Sequence, residues 1–308
     1  MSPLAGHPGQ NLYLRYEGEC DKMKKLNKIL CGALALVMIL ALCACASTPA
    51  DPDVPETKTP VTDAPATDAP ATEDPAALTT VIQGKLTMST NAAFPPYEMT
   101  TDSGEFEGID VEIADAIAKE LGLELKVDDM GFDAALLAVQ EGKSDIVMAG
   151  VTVTDERLLV MDFSESYATG IQVIIVPEDS DIASVDDLEG KLIGTQRGTT
   201  GYIYASDTPE NGGFGDENVI AYDNGITAVQ ALQNGQVDCV IIDSAPAQSF
   251  VDSNPGLKIL DTEYVLENYA IGLAKGNAAL LEAVNAALAE LTADGTVQAI
   301  IDKYIPAA

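Results

Sequence analysis

The sequence has one histidine, no tryptophan and only three arginines, against a formal net charge of −33. The histidine, His7, precedes an apolar N-terminal run, so the chain after that run has none. This excludes Ser-His-Asp and Cys-His nucleophilic sites and most histidine-bearing zinc sites. GxSxG, HExxH and P-loop sequences are missing, no EF-hand spacing occurs, and no metal or cofactor is expected. The shortage of positive charge argues against nucleic acids and anionic membranes, which are recognised by basic patches. Four of the five cysteines (Cys20, Cys31, Cys43, Cys45) are N-terminal, leaving Cys239 alone in the apolar stretch VDCVIID. A buried, inert thiol is expected there.

What the N-terminus has is an export signal. MKKLNK (Met23–Lys28) is followed by eighteen apolar or small residues, Ile29 to Ala46. A basic start and an apolar core define such signals. The run ends LALCACAS, which resembles a lipoprotein signal, with Cys45 as the lipidated residue because Leu42 and Ala44 stand three and one positions before it. An uncleaved membrane helix is the alternative, since eighteen residues just span a bilayer. Met1 to Lys22 has no place in such a signal, so translation is read as starting perhaps at Met23. Both readings place the rest of the chain outside the cell membrane, extracellular or periplasmic. Next, TDAPA, TDAPA and TEDPA near-repeats (Thr62–Ala76) form a Pro/Thr/Ala/Asp-rich tether that cannot bury a core.

A hydrophobic content of 47% is enough for a packed core in the remainder. Strand and helix patterns alternate along it. KLTMST reads as a strand, and Asp110 to Leu121 as a helix with Val111, Ile113, Ala114, Ile117, Ala118 and Leu121 at helical spacing. LELKV is a strand, FDAALLAVQEG a helix and DIVMAGVTV strand-like. A second set follows: IQVIIV, KLIGT, ITAVQALQNG and DCVIID. YAIGLA and two helices, Ala278 to Thr292 and Thr296 to Tyr304, end the pattern. Such alternation predicts an α/β fold with parallel-rich sheets whose ligand sites lie at the carboxyl ends of strands.

The two halves also echo each other. VQEGKSDIVMAG (Val139–Gly150) and LQNGQVDCVIID (Leu232–Asp243) share a helix end, a glycine turn, an acid and an apolar strand. One strand leads to Thr152 and Arg157; the other ends at Asp243. Arg157 lies beside Asp155 and Glu156, so a surface ion pair is one reading. An arginine and an aspartate facing a single cleft, suited to a zwitterion, is the other.

EGIDVEIADAIAKEL (Glu107–Leu121), AGVTVTDER (Ala149–Arg157), the following DFSESY, GTTG (Gly198–Gly201) and the Ile-Asp of VIIDSAP together resemble solute-binding proteins of polar amino-acid ABC importers (bacterial solute-binding protein family 3) from about Gly84 to Tyr304. The resemblance implies two doubly wound α/β lobes joined by two hinge strands, with the ligand cleft between them, the type II periplasmic-binding fold. Residues 1–45 then form the N-terminal extension and signal and 46–79 the tether. Lobe 1 is 80–168 with a return at 268–308, and lobe 2 is 169–267, with crossings near Tyr167–Ile171 and Val265–Tyr269. It also implies that Arg157 clamps the ligand carboxylate. Thr152 adds its backbone N–H there, and its hydroxyl accepts from the ammonium beside the Gly150 carbonyl. Thr200 adds a backbone donor, Asp243 pairs with the ammonium, and Phe94 and Phe132 sandwich the side chain. Asn91 stands where relatives binding cationic or amide side chains often carry aspartate, and Gln196 and Ile242 occupy positions that vary with ligand.

The expectation is a non-enzymatic, monomeric lipoprotein that captures a free polar amino acid for an ABC permease. An uncharged side chain such as that of glutamine is favoured, on the premise that the pocket holds no fixed charge of its own at its side-chain end. Two alternatives belong to other classes. A cyclohexadienyl dehydratase-like enzyme on the same fold would need a placed acid and a dicarboxylate pocket, and a sensing receptor would need a signalling segment after the binding lobes.

Overall fold

The computed structural model describes residues 78–261 and 264–306. Cys45, the export signal and the tether up to residue 77 lie outside the described residues. Strand β1 (Lys85–Thr90) is buried at every position but its first, because parallel strands covered on both faces lose the polar side that an exposed sheet would keep. A small antiparallel sheet follows: β2 (Ala93–Phe94), β3 (Glu98–Thr100) and β4 (Phe106–Glu107), with Phe94 directly opposite Glu98. Gly108 then turns the chain at φ 131°, where an added Cβ would meet the Tyr97 carbonyl oxygen at 2.2 Å. No other residue fits that approach. Helix α1 (Ile109–Glu120) buries Ile109, Ile113, Ala114, Ile117 and Ala118, the stripe expected of a 3.6-residue period. Its Asp110 is buried as well, which no apolar periodicity anticipates.

Strand β5 (Glu124–Asp129), helix α2 (Phe132–Gln140) and strand β6 (Ile146–Val147) complete this half. DIVMAGVTV, strand-like in pattern, forms a strand only at Ile146–Val147, with a single further bridge from Thr152 to Tyr269. The backbone turns at Gly150 (φ 55°), whose N–H goes to the Asp110 carboxylate at 2.9 Å instead of to a neighbouring strand. After the short helix α3 (Asp155–Val160), strand β7 (Met161–Pro177) runs for 17 residues, ten longer at its start than the IQVIIV pattern suggested. The other half contains β8 (Ile193–Gln196), α4 (Thr200–Ser206), β9 (Val219–Tyr222), α5 (Gly225–Gln233), β10 (Cys239–Asp243), α6 (Ser244–Ser253) and β11 (Leu257–Ile259). Strand β12 (Val265–Ala274) and helices α7 (Ala278–Ala293) and α8 (Thr296–Tyr304) follow. Cys239 is fully buried in β10, and burial pushes its thiol up to about 12, which makes it inert.

The main sheet runs β5-β1-β6-β12-β7-β10-β8-β9, with β11 on β7. Parallel sets, β5-β1-β6 and β10-β8-β9, flank an antiparallel pair, β12 and β7. β12 pairs with β6 of one set, β7 with β10 of the other, and the two long strands join the sets by pairing with each other. β7 pairs with β12 from Met161 to Gln172, then with β10 from Gln172 to Ile175. The consequence for function is positional. Asn91 follows β1, Gly150 lies just beyond β6, and Gln196 and Asp243 are the last residues of β8 and β10. Carboxyl ends of parallel strands from both sets therefore face one crevice, the usual ligand position in open α/β sheets.

Candidate functional site

All nine residues singled out from the sequence (Asn91, Phe94, Phe132, Gly150, Thr152, Arg157, Gln196, Thr200 and Asp243) line this crevice, together with Glu98, Ala149 and Thr199. The crevice is nearly shut: only about 10 Å³ is open to the centre of a water molecule. Two hydrogen bonds close it from opposite walls. Gln196 Nε2 donates to Asn91 Oδ1 at 2.9 Å, and Arg157 Nη2 donates to the Gly198 carbonyl at 3.1 Å.

Arg157 is 8% exposed, so it is not a surface residue. Thr154 caps α3 by accepting from the Arg157 backbone N–H at 3.2 Å, which fixes the residue one turn into the helix. Its Nη1 donates to the Thr152 carbonyl at 2.8 Å, and its guanidinium lies 5.4 Å from the centre of the Phe132 ring. Burial pulls its pKa down, while the nearby Glu267 carboxylate opposes that shift. A desolvated guanidinium satisfied largely by carbonyls is well prepared to take a carboxylate in a bidentate pair.

Asp243 sits opposite, held by donors from both long strands. Tyr269 donates its hydroxyl to Oδ1, and Gln172 Nε2 donates to Oδ2 at 2.8 Å. The same Gln172 nitrogen donates to Glu267 Oε2 at 3.0 Å, and Thr152 donates its hydroxyl to that oxygen at 3.1 Å. Two buried carboxylates thus share one amide. Burial first, and Glu267 second, push the Asp243 carboxyl up to about 7. Thr152, expected to accept from an ammonium, keeps that capacity, because a hydroxyl that donates still has lone pairs.

Aromatic rings form one wall. Phe94 and Tyr97 stack with centroids 6.0 Å apart, and Tyr97 meets Tyr269 edge-on at 5.2 Å. Gly150 is required beside them, since a Cβ there would meet Phe94 Cε1 at 2.9 Å. Below this wall lie two acids. Asp110 accepts from Gly150 N–H and from the Tyr167 hydroxyl (2.7 Å); burial raises its carboxyl to about 6 despite these bonds. Glu98 is fully buried, and neither of its carboxyl oxygens has a donor. Burial and the adjacent Asp110 hold it well above the usual carboxylate range.

Glu98, which the sequence did not single out, also lies in the lining. The residue follows the FPPY turn, and only its pairing opposite Phe94 turns it toward the crevice. Gln172, Glu267 and Tyr269 were missed as well. Gln172 alone left a trace, a polar residue inside the apolar IQVIIV. No cluster among the described residues could hold a metal ion, and none of their helices is long and apolar enough to cross a membrane.

The model of the family described as bacterial extracellular solute-binding proteins, family 3, matches residues 86–307. A probable histidine-binding protein of Neisseria gonorrhoeae is 32% identical over 236 residues, covering 74% of this chain and 86% of that protein. An ancestral arginine-binding protein is similar in structure both in its arginine-bound form (39% identity, TM-score 0.68) and in its glutamine-bound form (39%, TM-score 0.67). Each covers 72% of this chain and 98% of the ancestral one.

Proposed function

The chain belongs to the bacterial extracellular solute-binding proteins, family 3, and from that membership we propose that its cleft captures one free polar amino acid and delivers it to a membrane ABC permease. Like its relatives it is a binding protein rather than an enzyme. The observation that carries the reading is the placement of Arg157 and Asp243 in one cleft walled by strand ends from both parallel sets. A zwitterion bridges such a site.

In this reading Arg157 clamps the ligand carboxylate, with the backbone N–H groups of Thr152 and Thr200 beside it. The ammonium sits between Asp243, the Thr152 hydroxyl and the Gly150 carbonyl. Phe94 and Phe132 flank the side chain. Residues 80–168 with 268–308 move as one lobe against 169–267, β7 and β12 acting as the hinge. The ligand replaces the Gln196–Asn91 and Arg157–Gly198 bonds across the cleft with stronger charge-assisted ones. The signal and tether support anchoring through a lipidated Cys45, with the folded part on the outer face of the membrane.

Asn91 and Gln196 by themselves suit an uncharged polar side chain such as that of glutamine. Those two amides are engaged with each other, however, and the buried, unpartnered Glu98 of the same lining favours a cationic side chain instead. The test of capture is a thermal-shift screen of the full chain against the twenty amino acids and cystine. A true ligand at about 100 times its Kd adds about 2.7 kcal/mol. No shift with any of them would sink the proposal.

A further inference from the structure

Thr152 and Asp243, the two side chains assigned to the ligand ammonium, are joined from behind by residues of the long strands. Thr152 donates its hydroxyl to Glu267 Oε2 at 3.1 Å, and Gln172 Nε2 donates to that same oxygen at 3.0 Å. The Gln172 nitrogen also donates to Asp243 Oδ2 at 2.8 Å, while Tyr269 donates to Asp243 Oδ1. Glu267 and Gln172 are buried, and neither lines the crevice. Their placement follows from the strands. Glu267 and Tyr269 are two residues apart on β12, so both side chains leave it on one face. Gly170, opposite Glu267 on β7, leaves the room, since a Cβ there would run into the Tyr269 hydroxyl and Asp243 Oδ1.

The direction of these bonds decides what the amino end of the site can bind. A hydroxyl has one proton and two lone pairs. Glu267 takes the Thr152 proton, so Thr152 turns only lone pairs to the cleft. An ionised Asp243, held from behind by Gln172 and Tyr269, likewise only accepts. The Gly150 carbonyl beside them has no proton either. A primary ammonium brings three N–H donors to these three acceptors. A hydroxyl in its place brings one and leaves the others desolvated and unpaired, which is costly. Without an acceptor at Glu267, the Thr152 hydroxyl could turn its proton into the cleft and donate to a ligand hydroxyl.

We propose that Glu267 is a positioning residue that makes the cleft select an amino acid over its 2-hydroxy analogue. It does so by fixing the Thr152 hydroxyl with its lone pairs toward the ligand. This rests on the amino-acid reading above and names the residue outside the lining that sets its preference for a primary ammonium. Glu267 touches no ligand in this scheme and acts through Thr152. A shortened acid keeps the carboxyl group but withdraws its oxygens by one methylene, beyond reach of the Thr152 hydroxyl. Glu267→Asp therefore separates the hydrogen bond from the charge.

The experiment is a double-mutant cycle read by calorimetry on the full chain: wild type, Glu267→Asp, Thr152→Val and the double variant. The probes are L-arginine and L-glutamine, each beside its 2-hydroxy analogue, so that a charged and an uncharged side chain are both covered. The wild type is expected to favour the amino form over the hydroxy form by at least a hundredfold. Glu267→Asp is expected to reduce that ratio at least tenfold, but less than threefold when Thr152→Val is already present. Equal loss for amino and hydroxy forms would leave Glu267 a support for the strands and overturn the proposal. A fall of the same size in both Thr152 backgrounds would mean an effect not carried by Thr152, and would overturn it too. So would an unchanged ratio, or a wild type that binds both forms alike. Should Glu267→Asp fail to fold, Glu267→Met is read in the same two backgrounds. Lack of binding by every amino acid would overturn the amino-acid reading itself, a separate failure seen in the wild type before any variant is made.

Discussion

The side-chain amide of Gln196 donates to Asn91 Oδ1 at 2.9 Å, joining the end of β8 to the residue after β1 and closing the cleft at one end. Asn91 is oriented for this because its Nδ2 donates to the Met130 carbonyl at 3.0 Å. The bond lies at positions assigned to the ligand side chain, so whatever binds there must break or borrow it.

Asn91→Asp keeps the acceptor for Gln196 but sets a carboxylate oxygen against the Met130 carbonyl. A cation is what relieves that contact. The substitution should therefore raise arginine affinity relative to glutamine by about tenfold, about 1.4 kcal/mol. Matched titrations of wild type and variant with the two ligands measure it, and a ratio moving toward glutamine refutes it.

Arg157→Ala removes the carboxylate clamp and leaves a ligand charge partly buried and unpaired. Such truncations cost about 2–5 kcal/mol, or roughly 30-fold to several thousand-fold in Kd. The Thr152 and Gly198 carbonyls lose a donor as well, so stability should fall by about 1–2 kcal/mol without loss of the fold. Calorimetry for binding and thermal denaturation for stability separate the two effects. Unchanged affinity in a folded variant would remove Arg157 from the site.

Binding should also depend on pH through Asp243. Its carboxyl is raised to about 7 by burial and Glu267, whereas the ammonium requires it ionised. Apparent affinity should fall about tenfold for each unit of pH well below 7 and level off above it. Stability of the free protein runs the other way. An acid whose folded pKa is raised binds its proton more tightly when folded. Its contribution is therefore complete below the unfolded value near 4 and is lost as pH rises through about 7. Titrations and melting curves from pH 5 to 8 test both slopes. A flat affinity profile would mean that Asp243 does not meet the ammonium.

For the N-terminal anchor, Cys45→Ser should abolish lipid labelling and release the protein to the medium, while Cys43→Ser should leave both nearly unchanged. Metabolic labelling with a fatty acid reads the difference. Labelling lost only in the Cys43 variant would move the cleavage site, and labelling of neither wild type nor variants would favour an uncleaved membrane helix.

The sequence by itself determined the alternation of strands and helices, because period-2 and period-3.6 burial are local properties of the chain. It also marked Thr152, Arg157 and Asp243 at the ends of two echoed apolar strands, whereas Asn91, Phe94, Phe132, Gln196 and Thr200 came only from the resemblance to the solute-binding family. The start of β7 escaped it: MDFSESYATG mixes polar and apolar residues because that stretch is half-exposed and pairs with β12 rather than lying inside a two-faced parallel set. Only the tertiary structure decided what surrounds each site group. Gln172 reaches Asp243 across 71 residues and Glu267 across 95, and no spacing rule links such positions. The same holds for Glu98, an unremarkable acid after a proline turn in an acidic chain. Its burial, its missing partners and its place beside Phe94 arise from the packing of α1 and the small sheet around it. Desolvation is a property of the surroundings, so the charge state of a cleft is written in three dimensions and not in the order of residues.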